Sequence, residues 1–109
     1  MKLSPIGEFE ELVLLVVAAQ HDEAYGVSIH SYIVQTMKKS INISGIHVAL
    51  HRMEDKGLVK SRFGGITEEI GGRRKKFYVI TALGKKVLDQ QYAIRAELYK
   101  QIPKLSFGK

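Results

Sequence analysis

Apolar residues recur along this 109-residue chain with two different periods, and the change of period marks its elements. Ser4-Pro5 reads as an N-cap followed by proline at the first helical position, with Glu8, Glu10 and Glu11 close behind. The predicted helix runs to about Gln20. Its run Leu12–Ala19 is apolar all round, as in a helix buried on more than one side. Taken alone, that run equally suits a buried strand; the cap and the continued pattern from Phe9 favour helix. After a polar break at His21–Ala24, Asp22 or Glu23 begins a second helix, Tyr25 to Met37, with Val27, Ile29, Tyr32, Ile33 and Met37 turned inward. Lys38–Ser40 is a basic turn, and Ile41-Asn42-Ile43 suggests a short strand. Ser44 reads as the N-cap of a third helix that ends at Lys56 and is stopped by Gly57. Within it Ile46, Ala49, Leu50 and Met53 make a narrow apolar stripe. His47, Val48, His51, Arg52 and Asp55 occupy the opposite face.

The period then falls to two. Leu58 to Phe63 alternates apolar and basic residues as a half-buried strand does, and Lys76 to Ile80 returns as a second β-rich run. Gly64-Gly65 and Gly71-Gly72 bracket the loop between them, so the pair is a hairpin with a long tip. Thr81 caps a last helix from Ala82 towards Gln101, halted near Pro103. This order predicts an α+β, mainly α, winged helix-turn-helix. A three-helix core with a two-stranded β-wing spans residues 1–81, and a C-terminal dimerisation helix and tail span 82–109, in one compact unit.

Charge gives that outline a direction. Residues 1–37 carry one cation against five anions, for −4; residues 38–86 carry twelve against four, for +8; residues 87–109 carry four against two, for +2. Basic charge gathered in one segment points to a polyanion-binding face rather than a generally basic protein. The apolar fraction of 45% is that of a folded domain. Absence of cysteine excludes disulfides and thiolate metal sites and fits a reducing cytoplasm. The longest apolar run has eight residues, Leu12 to Ala19, against roughly 20 for a membrane span. The expectation is a soluble cytoplasmic protein with no membrane partner.

The major groove of double-stranded DNA is about 12 Å wide and admits one helix, which must pack an apolar stripe inward and show polar groups outward. The third helix has that form. Ser44 and Gly45 near its N-terminus let backbone approach a phosphate, and His47, Val48, His51 and Arg52 face outward. Arg52 suits either a bidentate contact to guanine or a phosphate contact that carries no sequence information. Lys60, Arg62, Arg73, Arg74, Lys75 and Lys76 form the wing. Strands about 4.8 Å apart merge such cations into one patch. Glu68 and Glu69 at the wing tip argue that the wing base, not the tip, makes the contacts.

Several blocks together resemble the PadR family of bacterial transcriptional regulators. They are the hydrophobic first helix, Tyr25-Gly26-Val27 followed by Ile29, A-L-H-R-M-E-D-K-G-L-V at 49–59, and K-K-F-Y-V-I-T-A-L-G at 75–84. They stand in the family's order and cover about residues 5–100. The resemblance implies a winged helix, homodimeric through its C-terminal helix, that represses promoters and often releases DNA on meeting a small-molecule effector. Before the alanine the family usually has glycine, threonine, leucine, tyrosine and proline, where this chain has Ser44, Gly45, Ile46, His47 and Val48. The tyrosine is a DNA-contacting position in the family, and His47 stands there. Drug-binding members stack planar ligands on a tryptophan at the dimer interface; this chain has no tryptophan.

The last helix supports a homodimer independently. Val87, Ile94, Leu98 and Ile102 make one line and Leu88, Tyr92 and Tyr99 a neighbouring one, more apolar surface than a terminal helix leaves bare. A monomer packing this helix on itself is the alternative. His47, His51 and Asp55 repeat every four residues, but Val48 stands where a metalloprotease motif has glutamate. With no phosphate-binding glycine loop and no nucleophile–base spacing, the sequence points away from an enzyme and implies no cofactor or metal. The competing class is a winged helix used for protein–protein contact or RNA.

Overall fold

The segments with helical period fold as helices and the alternating ones as strands, in a computed structural model that describes residues 6–38, 40–64, 69–70 and 73–104. Helix α1 spans Glu8–Gln20. Its N-cap is Gly7, in extended conformation and with no capping side chain; Ser4 and Pro5, expected to start it, lie outside the described residues. Glu8, Glu10 and Glu11 fill the first turn, where negative charge meets the positive end of the helix dipole. Val13, Leu14, Val16 and Val17 are buried in the core, but Leu15 in the middle of the run is exposed, so the run is not buried all round.

Two starts differ from expectation. Asp22 and Glu23 do not open the second helix: His21–Glu23 is a single 3-10 turn, followed by strand β1, Ala24–Tyr25, and then helix α2, Gly26–Met37. The Ser28 hydroxyl accepts from the Tyr25 N–H at 2.9 Å, satisfying one of the donors that a helix start leaves free. Ile29 and Ile33 are buried as expected, whereas Val27, Tyr32 and Met37 are exposed. The contact stripe of α2 is only Gly26–Ile29–Ile33 wide, and the other three residues fall beside it or opposite it. Helix α3, Ile43–Asp55, is capped by Asn42 and not by Ser44, and Ile41–Ile43 forms no strand. The Asn42 Oδ1 accepts from the Ser44 N–H at 3.0 Å, which lets the helix begin one residue before Ser44. Ile46, Ala49, Leu50 and Met53 are buried as one stripe, and Gly57, with φ at 78°, follows the helix end.

The wing is larger than a two-stranded hairpin. Strands β2, Val59–Phe63, and β5, Lys76–Ile80, pair antiparallel from Val59↔Ile80 to Phe63↔Lys76; β1 adds to the other edge of β5 through Ala24↔Tyr78 and Tyr25↔Phe77. The result is a three-stranded sheet in the order β1-β5-β2. Between β2 and β5 a second short ribbon joins β3, Glu69–Ile70, to β4, Arg73–Arg74, with Glu69 in register with Arg74. Tyr78 and Val59 face the core.

Helix α4, Ala82–Lys100, starts at the root of the wing. The Thr81 hydroxyl donates to the Gly57 carbonyl at 2.6 Å and accepts from the Gly84 N–H at 3.0 Å. Gly84 is packed so closely that a Cβ there would collide with the Leu58 carbonyl and with Ile80. Close backbone approach at that point brings α4 against α1 and β5. No helix among the described residues is long and apolar enough to cross a membrane.

Candidate nucleic-acid interface

Because the buried stripe of α3 is narrow, its other face is left to solvent. His47, Val48, His51 and Arg52 are all exposed and line one shallow depression on that face. Val48, 51% exposed, is an apolar group among donors, the chemistry that meets a thymine methyl. Ser44 is exposed too, but its hydroxyl is 3.0 Å from the Asn42 Oδ1 and so serves the cap. Gly45, Val48, Ala49 and Arg52 border a groove of about 460 Å³ against Ile6–Glu10 of the α1 start, and the Lys56–Glu10 ion pair of 3.1 Å also lines it. Among the described residues Arg52 enters no ion pair. His47, His51 and Asp55 form no metal-holding cluster among those residues.

On the wing, strand register decides where each cation goes. Residues paired across antiparallel strands share a face, so Tyr25, Phe77 and Arg62 form one row across the three strands. The rings of Tyr25 and Phe77 meet edge-on, with centroids 5.6 Å apart. The Arg62 guanidinium lies 4.7 Å over the Phe77 ring and the Lys75 ammonium 4.6 Å over that of Tyr25. Two cations are thus set at the ends of an aromatic row. Lys76 falls on the other face with Phe63 and Tyr78, and it makes an ion pair of 3.7 Å with Glu54 of α3. Lys60 and Arg74 are exposed; Arg73 pairs with Ile70 in β4 and is described by its backbone alone. Glu68 lies outside the described residues.

Helix and wing meet in a cleft of about 330 Å³ lined by Tyr25, Gly26, His47 and Phe63 and by the basic run Arg74–Lys76. The His47 imidazole approaches Gly26 with its Cε1 edge, where a Cβ would press on it at 2.5 Å. Glycine at 26 therefore sets how deeply the ring can sit.

The apolar lines of α4 divide in two. Val87 and Leu88, expected in a dimer interface, are buried in this chain's own core, at 3% and 7% exposure. Gln91 closes that part: its Oε1 accepts from the Ile6 N–H and its Nε2 donates to the Glu11 Oε1, both at 2.7 Å, while Arg95 reaches the same Glu11 oxygen at 3.2 Å. Beyond this point Tyr92, Ile94, Leu98, Tyr99 and Ile102 are exposed, Leu98 by 61% and Tyr99 by 75%.

A family model described as the transcriptional regulator PadR-like family matches residues 13–90. The chain belongs to that family. A search of curated proteins finds no match. Among solved structures, a PadR-like transcription factor from Bacteroides fragilis superposes with a TM-score of 0.71 at 21% identity, over 86% of this chain and 85% of that one. A PadR family transcription regulator from Clostridium difficile R20291 gives 0.62 at 26% identity, over 85% and 96%. Bacillus subtilis PadR, solved in complex with operator DNA, gives 0.67 at 22% identity, over 96% of this chain and 54% of that one. At such identities the first and third establish a shared fold.

Within this PadR-like chain, reasoning from sequence overlooked Asn42, Tyr25, Phe77 and Glu54. Asn42 carried a signal, since an Asx side chain two residues before a serine is a common helix start. Glu54 stood out as an acid between an apolar stripe and a basic strand. Tyr25 and Phe77 carried none, because their meeting depends on β1 joining the sheet.

Proposed function

We propose that this PadR-like protein is a sequence-specific DNA-binding transcriptional regulator that acts as a homodimer on a palindromic operator and represses from it. The observation that carries the reading is the exposed face His47–Val48–His51–Arg52 beside a cation-bordered cleft. Helix α3 enters the major groove, with Val48 and Arg52 reading base edges and His47 and His51 reaching bases or phosphates. The start of α3 at Ser44 and Gly45 meets a phosphate. Lys60, Arg62, Arg73, Arg74 and Lys75 supply phosphate contacts from the wing; Lys76, already paired, stands apart from that set. The operator complex of the Bacillus subtilis protein supports the DNA reading by analogy of fold.

The dimer is carried by the outer half of α4, where Tyr92, Ile94, Leu98 and Tyr99 continue a stripe whose inner half is already buried. Leu12 and Leu15 of α1 border a neighbouring hollow with Arg95, giving that face an extension on the body of the domain. Two-fold symmetry then sets two α3 helices about 34 Å apart, one turn of DNA. Control by a small-molecule effector at the dimer interface is the remaining part of the proposal, and it rests on family membership. In cells the protein works in the cytoplasm, where its DNA is.

The test is a titration of random duplex DNA, RNA and a selected operator at two salt concentrations. Duplex DNA binding is expected to fall steeply with salt. Arg74→Ala with Lys75→Ala is expected to flatten the slope by about 1.8, at roughly 0.9 per phosphate contact. Salt-insensitive DNA binding, or preference for RNA, would overturn the proposal.

A further inference from the structure

Glu54 lies in the last turn of α3, on the side turned to the wing, and its two carboxylate oxygens go to different strands. Oε2 accepts from the Ser61 hydroxyl of β2 at 2.6 Å, and Oε1 faces the Lys76 ammonium of β5 at 3.7 Å. The Lys76 ammonium also lies 5.9 Å from the Phe63 ring centroid and 5.6 Å from that of Tyr78. We propose that Glu54 is a positioning residue that ties the recognition helix to both wing strands and withholds Lys76 from the DNA backbone. The inference rests on the DNA-binding reading above and narrows which cations perform it.

The surroundings of the pair carry the argument. Only 31% of the Glu54 side chain and 39% of the Lys76 side chain are exposed, against 62% and 63% in the Asp89–Lys85 pair of α4. Ion pairs shielded in this way are screened less by salt than surface pairs are. For Lys76 to reach a phosphate it must leave a carboxylate and two ring faces. The carboxylate would then stand uncompensated beside the DNA, where like charge repels it. Lys75 rests on the Tyr25 ring but enters no ion pair among the described residues. Among the described side chains, Lys76 alone of the run is held by a carboxylate of α3, and it fixes the inclination of the wing to that helix.

The salt dependence of binding to random duplex DNA tests this with the full chain and four variants. Lys76→Gln is expected to leave the slope of log affinity against log salt unchanged. Glu54→Gln keeps an acceptor for Ser61 but frees Lys76, so the slope steepens by about 0.9 and affinity at low salt rises several-fold. The double variant Glu54→Gln/Lys76→Gln returns to the parental slope. A slope flattened by about 0.9 in Lys76→Gln alone would overturn the proposal, because Lys76 would then be a phosphate contact. So would Glu54→Gln with an unchanged slope. Should Glu54→Gln lower the unfolding midpoint too far for titration, the Lys76→Gln arm decides alone. Arg74→Ala separates the two readings: if the parent shows no salt-dependent binding, or Arg74→Ala leaves it unaltered, the DNA reading itself has failed.

Discussion

Helices α3 and α4 both leave a face uncovered, and the two faces differ in kind. That of α3 carries His47, His51 and Arg52 around a single valine, whereas the outer half of α4 carries Tyr92, Ile94, Leu98 and Tyr99. Polar groups cost little to leave in water and are readily exchanged for a polyanion's oxygens. Contiguous apolar groups are costly to leave bare and call for a protein partner. One small domain therefore leaves two unlike faces bare.

The sharpest way to break this comparison is to charge the α4 face. Ile94→Asp with Leu98→Asp is expected to leave the helical circular dichroism intact and give a monomer by sedimentation. Operator affinity should drop by about 10²- to 10⁴-fold as two linked half-site contacts become one. A dimer that survives both substitutions would place the interface elsewhere. Next in size is the inner face of α3. Leu50→Ala should lower unfolding free energy by about 2–5 kcal/mol in urea titration, with DNA contacts untouched in the fraction that folds. His51→Ala on the outer face should move it by less than about 0.5 kcal/mol.

Arg52→Ala sharpens the account of base reading. If Arg52 holds a guanine, discrimination against the substituted operator falls by about 1–3 kcal/mol. If it holds a phosphate, affinity drops alike for operator and random DNA, and competition binding tells the two apart. The smallest effect is expected at the root of α4. Thr81→Ala removes a cap and should cost about 1 kcal/mol of stability, visible as a lower unfolding midpoint, with little change in the DNA salt slope.

The stripe Ile46–Ala49–Leu50–Met53 and its polar opposite face were legible in the sequence, because helical period alone determines which residues share a side. So was the hairpin, from its alternation and its glycines. Neither the start of α1 nor that of α2 could be read: Gly7 caps without a side chain, and Ala24–Tyr25 becomes a strand only because β5 is there to pair with it. The same long-range pairing sorts the wing cations onto two faces, so composition gave their number but not their neighbours. On α4 one continuous stripe serves two purposes, and sequence has no mark at Gln91 where burial within the chain ends.

That glutamine has a mechanical consequence. Its side chain bonds to the Ile6 backbone, 85 residues away in sequence, and to Glu11, so it clamps the middle of a rod and leaves nine helical residues beyond it. Those nine residues extend about 13.5 Å, and a turn of about 5° at the clamp carries the far end through roughly 1.2 Å. In the proposed dimer built on the rod's outer half, the tilt set at this clamp would gauge the gap between the two α3 helices. A small molecule that loosened or leaned on the clamp would detune that gauge without touching the outer face of α3.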